Sequence, residues 1–335
     1  MDAHPADRQP RPRSPRPLGR SSGERALDAL HGCRVGDALG ESFFGARDVV
    51  APLIEARVLR SPAPLPHWRW TDDTLMSASV YSTLARGAGN LDQDELARHL
   101  ADHVSIDRGY GHGSRDLLFD VRSGMSWRAL SPATFGGAGS RGNGAAMRVA
   151  AVGAWHAGDP ERAARLARTQ SVVTHAHPEA GDGAAAVAAA ASVLAVPGPA
   201  PTPAALLRLS REHAGSGRVA AGLDAAVDLV GADVASAARQ LGTGLNSLAY
   251  DTVPFALWSV AHSPHDYVET FWRTVSGLGD RDTTCAIAGA LVTAHAGRVA
   301  IPTEWDDLVE PLPIWIDRRH RRGTLGALAQ EWLGR

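Results

Sequence analysis

Two short stretches, some two hundred residues apart, each set hydroxyl and carboxylate side chains directly ahead of an apolar helical run. One is Trp70-Thr71-Asp72-Asp73-Thr74, followed by LMSASVYSTLARG. The other is Gly277-Leu278-Gly279-Asp280-Arg281-Asp282-Thr283-Thr284, followed by CAIAGALVTAHAG. Oxygen-bearing side chains are favoured at a helix start because unpaired backbone N–H groups and the helix dipole attract them. That accounts for one Asp per helix. It does not account for a pair with glycines ahead of it, which let the backbone turn tightly and approach a neighbour closely. Two well-capped helices are the plain reading of these stretches. The functional reading makes them halves of one hard-cation site, since oxygen-only ligands suit Mg²⁺, Mn²⁺ or Ca²⁺ rather than Zn²⁺.

The rest of the chain is also helical in pattern. Period-2 alternation and β-branched runs are sparse, so an all-α fold of a dozen or so helices is expected. Residues 1–23, rich in Pro, Arg and Ser, bury too little apolar surface to order themselves and are expected to be a disordered tail. Residues 24–335 are expected to form a single domain. Hydrophobic content of 44% and charged content of 21% are those of a globular protein, and a net charge of −2 gives no reason to expect nucleic acid or a membrane as partner. All 34 basic residues counted as Lys or Arg are Arg, which excludes a Schiff-base or P-loop lysine. Cys33 and Cys285 lie in apolar helical patterns and are expected to be buried thiols. No stretch reads as a signal peptide or a membrane span; the Ala-rich run around Ala184–Ala195 suits helix packing instead. A cytoplasmic monomer is the default expectation.

Four further features bear on chemistry. Gly32, Gly36 and Gly40 fall on one helix face, each costing about 0.5–1 kcal/mol relative to Ala, so another backbone or a ligand is expected against that face. Asp37 and Glu41 lie four apart beside it. Two glycine-rich loops follow. In Gly109-Tyr110-Gly111-His112-Gly113-Ser114, Tyr110 or His112 could stack on a base or sugar. The second, with Gly139, Ser140, Gly142, Asn143 and Gly144, opens what reads as one helix, AAMRVAAVGAWHAG, and could cradle phosphate on backbone N–H groups. Finally, Thr174-His175-Ala176-His177-Pro178-Glu179 offers possible metal ligands, but polar residues lining a site fit better where the other candidates are hard oxygens.

Taken in order, Gly36–Gly40 (GDALG), Trp70–Thr74 (WTDDT), Gly142–Arg148 (GNGAAMR), Thr174-His175 and Gly279–Thr283 (GDRDT) resemble the motifs of the ADP-ribosylglycohydrolases, the enzymes similar to dinitrogenase reductase-activating glycohydrolase. The likeness runs from about Glu24 to Gly297. It implies a compact, orthogonal all-α bundle with a binuclear Mg²⁺ or Mn²⁺ centre at helix ends. It also implies hydrolysis of the N- or O-glycosidic bond between ADP-ribose and an acceptor, either an ADP-ribosylated protein or a small molecule. The family's metal ligands fall on Thr71, Asp72, Asp73, Asp280, Asp282 and Thr283, with Asp73 and Asp282 also serving the chemistry. The loops Gly109–Ser114 and Gly139–Gly144 would hold diphosphate and ribose, with His175 beside the diphosphate. Many members carry a Glu four residues after GDALG; here that position is Phe44, and Glu41 is the nearby carboxylate expected to take its role. A catalytically impaired ADP-ribose-binding protein of the same fold is the alternative.

Overall fold

The computed structural model describes residues 19–62 and 65–316. Residues 1–18 of the expected tail, and the amphipathic run containing Leu325, Leu328 and Trp332, lie outside the described residues. Ordered structure begins inside the expected tail. Ser21 caps the first helix in a reciprocal bond with Glu24, and Arg20 donates to Asp28 and to the carbonyls of Thr293, Ala294 and His295.

The helices in order are α1 (Ser22–Ser42), α2 (Arg47–Glu55), α3 (Asp72–Arg86), α4 (Gln93–His103), α5 (His112–Arg122), α6 (Trp127–Gly137), α7 (Gly144–Met147), α8 (Ala150–Trp155) and α9 (Pro160–Ser171). They continue with α10 (Pro178–Leu194), α11 (Pro203–Glu212), α12 (Arg218–Asp228), α13 (Val234–Leu241), α14 (Ala249–His262), α15 (Tyr267–Val275), α16 (Arg281–Ala296) and α17 (Thr303–Leu308). Among the described residues there is no strand, only two isolated bridges, Trp68 with Val309 and Gly142 with Leu248. The all-α expectation is met.

The glycine face of α1 lies directly on α16. A Cβ at Gly32 would fall 2.2 Å from the Gly289 carbonyl oxygen, at Gly36 2.1 Å from that of Cys285, and at Gly40 2.3 Å from that of Arg281. No side chain fits there, so the partner those glycines await is another helix backbone. Cys33 and Cys285 are buried free thiols at this interface, as expected. The Ala-rich α10 is buried along its length and packs against α8, α9 and α14. Among the described residues no helix is long and apolar enough to cross a membrane. The expected single helix after the second glycine loop is instead two, α7 and α8, broken at Arg148 and Val149. Arg148 is fully buried there and donates to the Gln170 side chain and carbonyl on α9, an anchorage a continuous exposed helix would not offer.

Candidate functional site

The N-termini of α3 and α16 meet at one end of a cavity of about 720 Å³. Thr71 is the N-cap of α3, and its hydroxyl accepts the Asp73 N–H. At α16 the Asp282 carboxylate accepts the Thr283 N–H of the first turn at 2.8 Å. Asp280, the N-cap residue of α16, makes no capping bond. Asp72, Asp73, Asp280 and Asp282 instead turn to the cavity, together with Thr283. The Thr283 hydroxyl donates to Asp73 Oδ2 at 3.3 Å, and the Thr71 hydroxyl is at the same distance from that oxygen, so the two clusters touch.

Each half is held differently. Under α3 lies Asp37 of α1, fully buried. Its carboxylate accepts from the Thr71 N–H and hydroxyl and from the Thr74 N–H and hydroxyl at 2.5–3.1 Å. At α16, Asp280 Oδ2 accepts 2.7 Å from Asn143 Nδ2, and the Asp280 N–H donates to the Thr243 carbonyl at 2.8 Å. Gly279 permits that approach: a Cβ there would fall 2.0 Å from the Thr243 oxygen.

The electrostatics are those of concentrated negative charge. Burial, then Asp37, raises the Asp72 carboxyl; burial, then Asp282, raises Asp73 well above the ordinary range; burial, then Asp280, does the same for Asp282. Asp280 is also raised by burial, against the Asn143 hydrogen bond that lowers it. Asp73 Oδ1 is buried with no hydrogen-bond partner. An orphaned carboxylate oxygen among like charges, at two positive helix ends, is the donor set a hard divalent cation fits. Thr71 and Thr283 fit too, since each gives its proton to a carboxylate; Thr71, which also accepts the Asp73 N–H, keeps one lone pair for a cation. Among the described residues, no three or more His, Cys, Asp or Glu side chains are already drawn in as a cage around one ion.

Both glycine loops line the same cavity, through Gly109, Gly111, His112, Gly113 and Ser114 on one side and Gly139, Ser140, Gly142, Asn143 and Gly144 on the other. Gly113 and Ser114 belong to the first turn of α5 rather than to a loop. Tyr110 is turned away from the cavity into the core, so His112 is the ring of that loop that faces it. His175 lines the cavity against Gly142 and Gly144, where a Cβ would meet its ring at 3.0 and 2.7 Å. Its Nδ1 pairs with the Thr174 hydroxyl at 2.7 Å, and burial, then the charge of Arg148, lowers its pKa to about 3. It is a neutral ring at any physiological pH. His177 caps α10 through its Nδ1 and is not a cavity residue.

Glu41 does not line this cavity. It faces a neighbouring cleft of about 420 Å³, with Phe44 and Thr71, and Gly109 borders both spaces. Burial in the cleft, then Asp37 and Asp280, pushes its carboxyl up to about 7. Phe43 is buried against Phe271 and Trp272 and so does not surround Glu41, whereas Phe44 is half-open beneath the Arg281 guanidinium.

Several residues of the site carry no sequence signal of their own. Asp37 reads as one of a carboxylate pair at a helix end, yet it is the buried anchor of α3. Asn246, Ser247 and Leu248 line the cavity on a turn tied by Asp251 to the Asn246 N–H and side chain and to the Leu248 N–H. The glycines Gly242 and Gly244, both at positive φ, are the trace that turn leaves in the sequence. Phe135 stands at the cavity mouth, 70% exposed and left-handed at φ 52°. A bulky residue in that conformation is strained, which points to function.

An all-α fold with carboxylates at two converging helix ends, facing a glycine-walled cavity, defines a narrow class of protein. A family profile described as ADP-ribosylglycohydrolase matches residues 19–334, and the chain belongs to that family. ADP-ribosylhydrolase ARH3 of Homo sapiens is 28% identical over 332 residues, covering 85% of this chain and 90% of that protein. An uncharacterized protein of Archaeoglobus fulgidus is 29% identical over 291 residues, covering 84% and 90%. A solved structure titled ADP-ribosylglycohydrolase-related protein complex shares the fold, with a TM-score of 0.58 at 22% identity, over 87% of this chain and 93% of that one.

Proposed function

We propose that the cavity binds ADP-ribose and that the protein hydrolyses the glycosidic bond joining ADP-ribose to an acceptor. The observation that carries this reading is the orphaned Asp73 oxygen among four carboxylates, at the end of a cavity whose other walls are glycine loops and a neutral histidine. The human relative named above is an ADP-ribosylhydrolase, which supports the same reading.

In this reading the backbone N–H groups around Gly139–Gly144 and Gly109–Ser114 hold the diphosphate. His175, with Nδ1 engaged by Thr174, offers Nε2 on the same side. The exposed ring of Phe135 is placed to stack on the base. Asp72, Asp73, Asp280 and Asp282, with the hydroxyls of Thr71 and Thr283, would hold two Mg²⁺ or Mn²⁺ ions. Bound there, such ions supply Lewis-acid polarisation of substrate oxygens and offset the carboxylate repulsion. The carboxylates stabilise positive charge developing at the ribose anomeric carbon. Water adds its hydroxyl to that carbon as the bond to the acceptor breaks, and the acceptor atom leaves with a proton. Glu41, holding its proton to about 7, is the group suited to exchange it with water or acceptor.

The test is release of ADP-ribose from a panel of substrates linked through arginine, serine, other side chains and free metabolites, with and without added Mg²⁺. Mg²⁺-dependent release from at least one substrate is expected. ADP-ribose binding with no release from any of them would establish the binding protein instead.

A further inference from the structure

The second cleft has a wall that the hydrolytic site does not use. It runs along residues 60–62 and 65–71, shares Gly109 with the cavity, and reaches the start of α3 from another side: Thr71 faces this cleft while Asp72 and Asp73 face the cavity. If ADP-ribose fills the cavity, the bond to be cut lies at the carboxylates, and this cleft, which meets them at Thr71 and Glu41, is the neighbouring space open to what was attached.

Three arginines line that exit, Arg60, Arg69 and Arg108. Arg108 is already committed: it grips both oxygens of Glu310 at 2.7 Å and stacks 3.5 Å over the Trp70 ring. Among the described residues Arg60 donates to the Ser42 and Phe44 carbonyls alone, and Arg69 is exposed. Neither has a carboxylate partner among the described residues. The acids on the same walls are Glu41, at the carboxylate end, and Asp107. Apolar surface completes the cleft, with Phe44 40% and Leu65 49% exposed.

We propose that this cleft is the acceptor subsite, and that Arg60 and Arg69 suit it to a peptide acceptor carrying acidic residues beside the modified one. The inference rests on the hydrolase reading. Guanidinium groups that lack a carboxylate partner match carboxylates in a fork geometry, and Arg60 is steadied for it by its two carbonyl bonds. Exposed apolar side chains among them favour a peptide over a bare phosphate. An arginine-linked acceptor brings a like charge to the same wall.

The experiment uses the full chain with Mg²⁺ and two serine-linked ADP-ribosyl peptides, identical except that Glu residues flanking the serine in one are Gln in the other. A kcat/KM advantage of about fivefold for the acidic peptide is expected at low salt, shrinking in about 0.5 M NaCl. Among the described residues Arg69 makes no hydrogen bond, and its side chain is exposed, so its variants break none of the fold's described contacts. Arg69→Gln should reduce the advantage and Arg69→Glu reverse it, with release from the neutral peptide within a few-fold of wild type. Equal wild-type rates on the two peptides would overturn the subsite while leaving the hydrolase reading in place. Faster release from an ADP-ribosylated oligonucleotide end than from the acidic peptide would overturn the peptide assignment. No release from any of these substrates would overturn the peptide subsite, and the hydrolase reading with it if the wider panel of acceptors also gives none.

Discussion

The two helix ends that meet at the candidate site look alike in sequence and are built on opposite plans. The start of α3 is fixed from behind. Buried Asp37 takes hydrogen bonds from the backbone and hydroxyls of Thr71 and Thr74, so Asp72 and Asp73 are held from below; Gly109 packs against Asp72, but among the described residues no hydrogen bond ties either carboxylate to the cavity loops. The start of α16 is fixed from in front: Asp280 is tied to Asn143, a member of the glycine loop that walls the cavity. One half of the site is therefore rigid independently of any nucleotide, while the other shares a hydrogen bond with the nucleotide's own cradle. Cation and nucleotide binding should be coupled through α16 and not through α3.

The largest effects should come from removing a carboxylate from either half, and there the comparison predicts no difference. Asp73→Asn and Asp282→Asn should each abolish divalent-cation heat in calorimetric titration with little change in Tm. Wild-type affinity in either would remove that half from the cation site. Glu41 belongs to neither half, so Glu41→Gln should leave cation and ADP-ribose affinity within a few-fold while turnover falls by at least about a hundredfold. Turnover near wild type would leave the aspartates to act without it.

The supports should separate the halves. Asp37→Asn puts an amide where four donors converge, and should weaken cation affinity by about 10–100-fold with ADP-ribose affinity intact. Asn143→Ala should weaken both ligands, and the enhancement of one by the other, severalfold in wild type at about 1 kcal/mol of coupling, should vanish. Equal coupling in the two variants would erase the distinction.

The smallest effect is on stability. Asp72 keeps its proton to about 8 and Glu41 to about 7, whereas the unfolded chain releases both near about 4. Folded carboxyls with raised pKa stabilise the fold below the unfolded value and lose that contribution as pH rises through the folded one. The chelator-treated protein should thus lose a few degrees of Tm between about pH 4 and about pH 8. Added Mg²⁺ should restore more of it at the upper end. A Tm flat with pH in chelator would mean the carboxyls are not crowded.

How much of this was legible depends on how local each signal is. The hydroxyl-carboxylate pairs are contiguous in sequence, and the glycine face of α1 repeats at every fourth residue, so both could be read directly. Tyr110 could not be placed. Glycines on either side suggested an exposed ring, but its burial is decided by the core it enters. Asn143 read as part of a phosphate loop, and only the approach of α16 reveals its bond to Asp280. Asp37 is an ordinary helical acid until α3 packs over it. The break at Arg148 is invisible in an Ala-rich run because the Gln170 that binds it lies on another helix.

The backbone-on-backbone seam between α1 and α16 gives the site a fixed calliper. α1 carries Asp37 and Glu41, the start of α16 carries Asp280 and Asp282, and at Gly36 and Gly40 no side chain lies between the two to absorb a change. A methyl group added at Gly36, buried well inside the seam, would have to spread the jaws. Displacements of about 1 Å at reacting groups can cost about 10²-fold in rate. Variation among related chains should therefore be absorbed by the walls of the acceptor cleft, which are exposed and loosely tied, and refused by three glycines that touch no substrate at all.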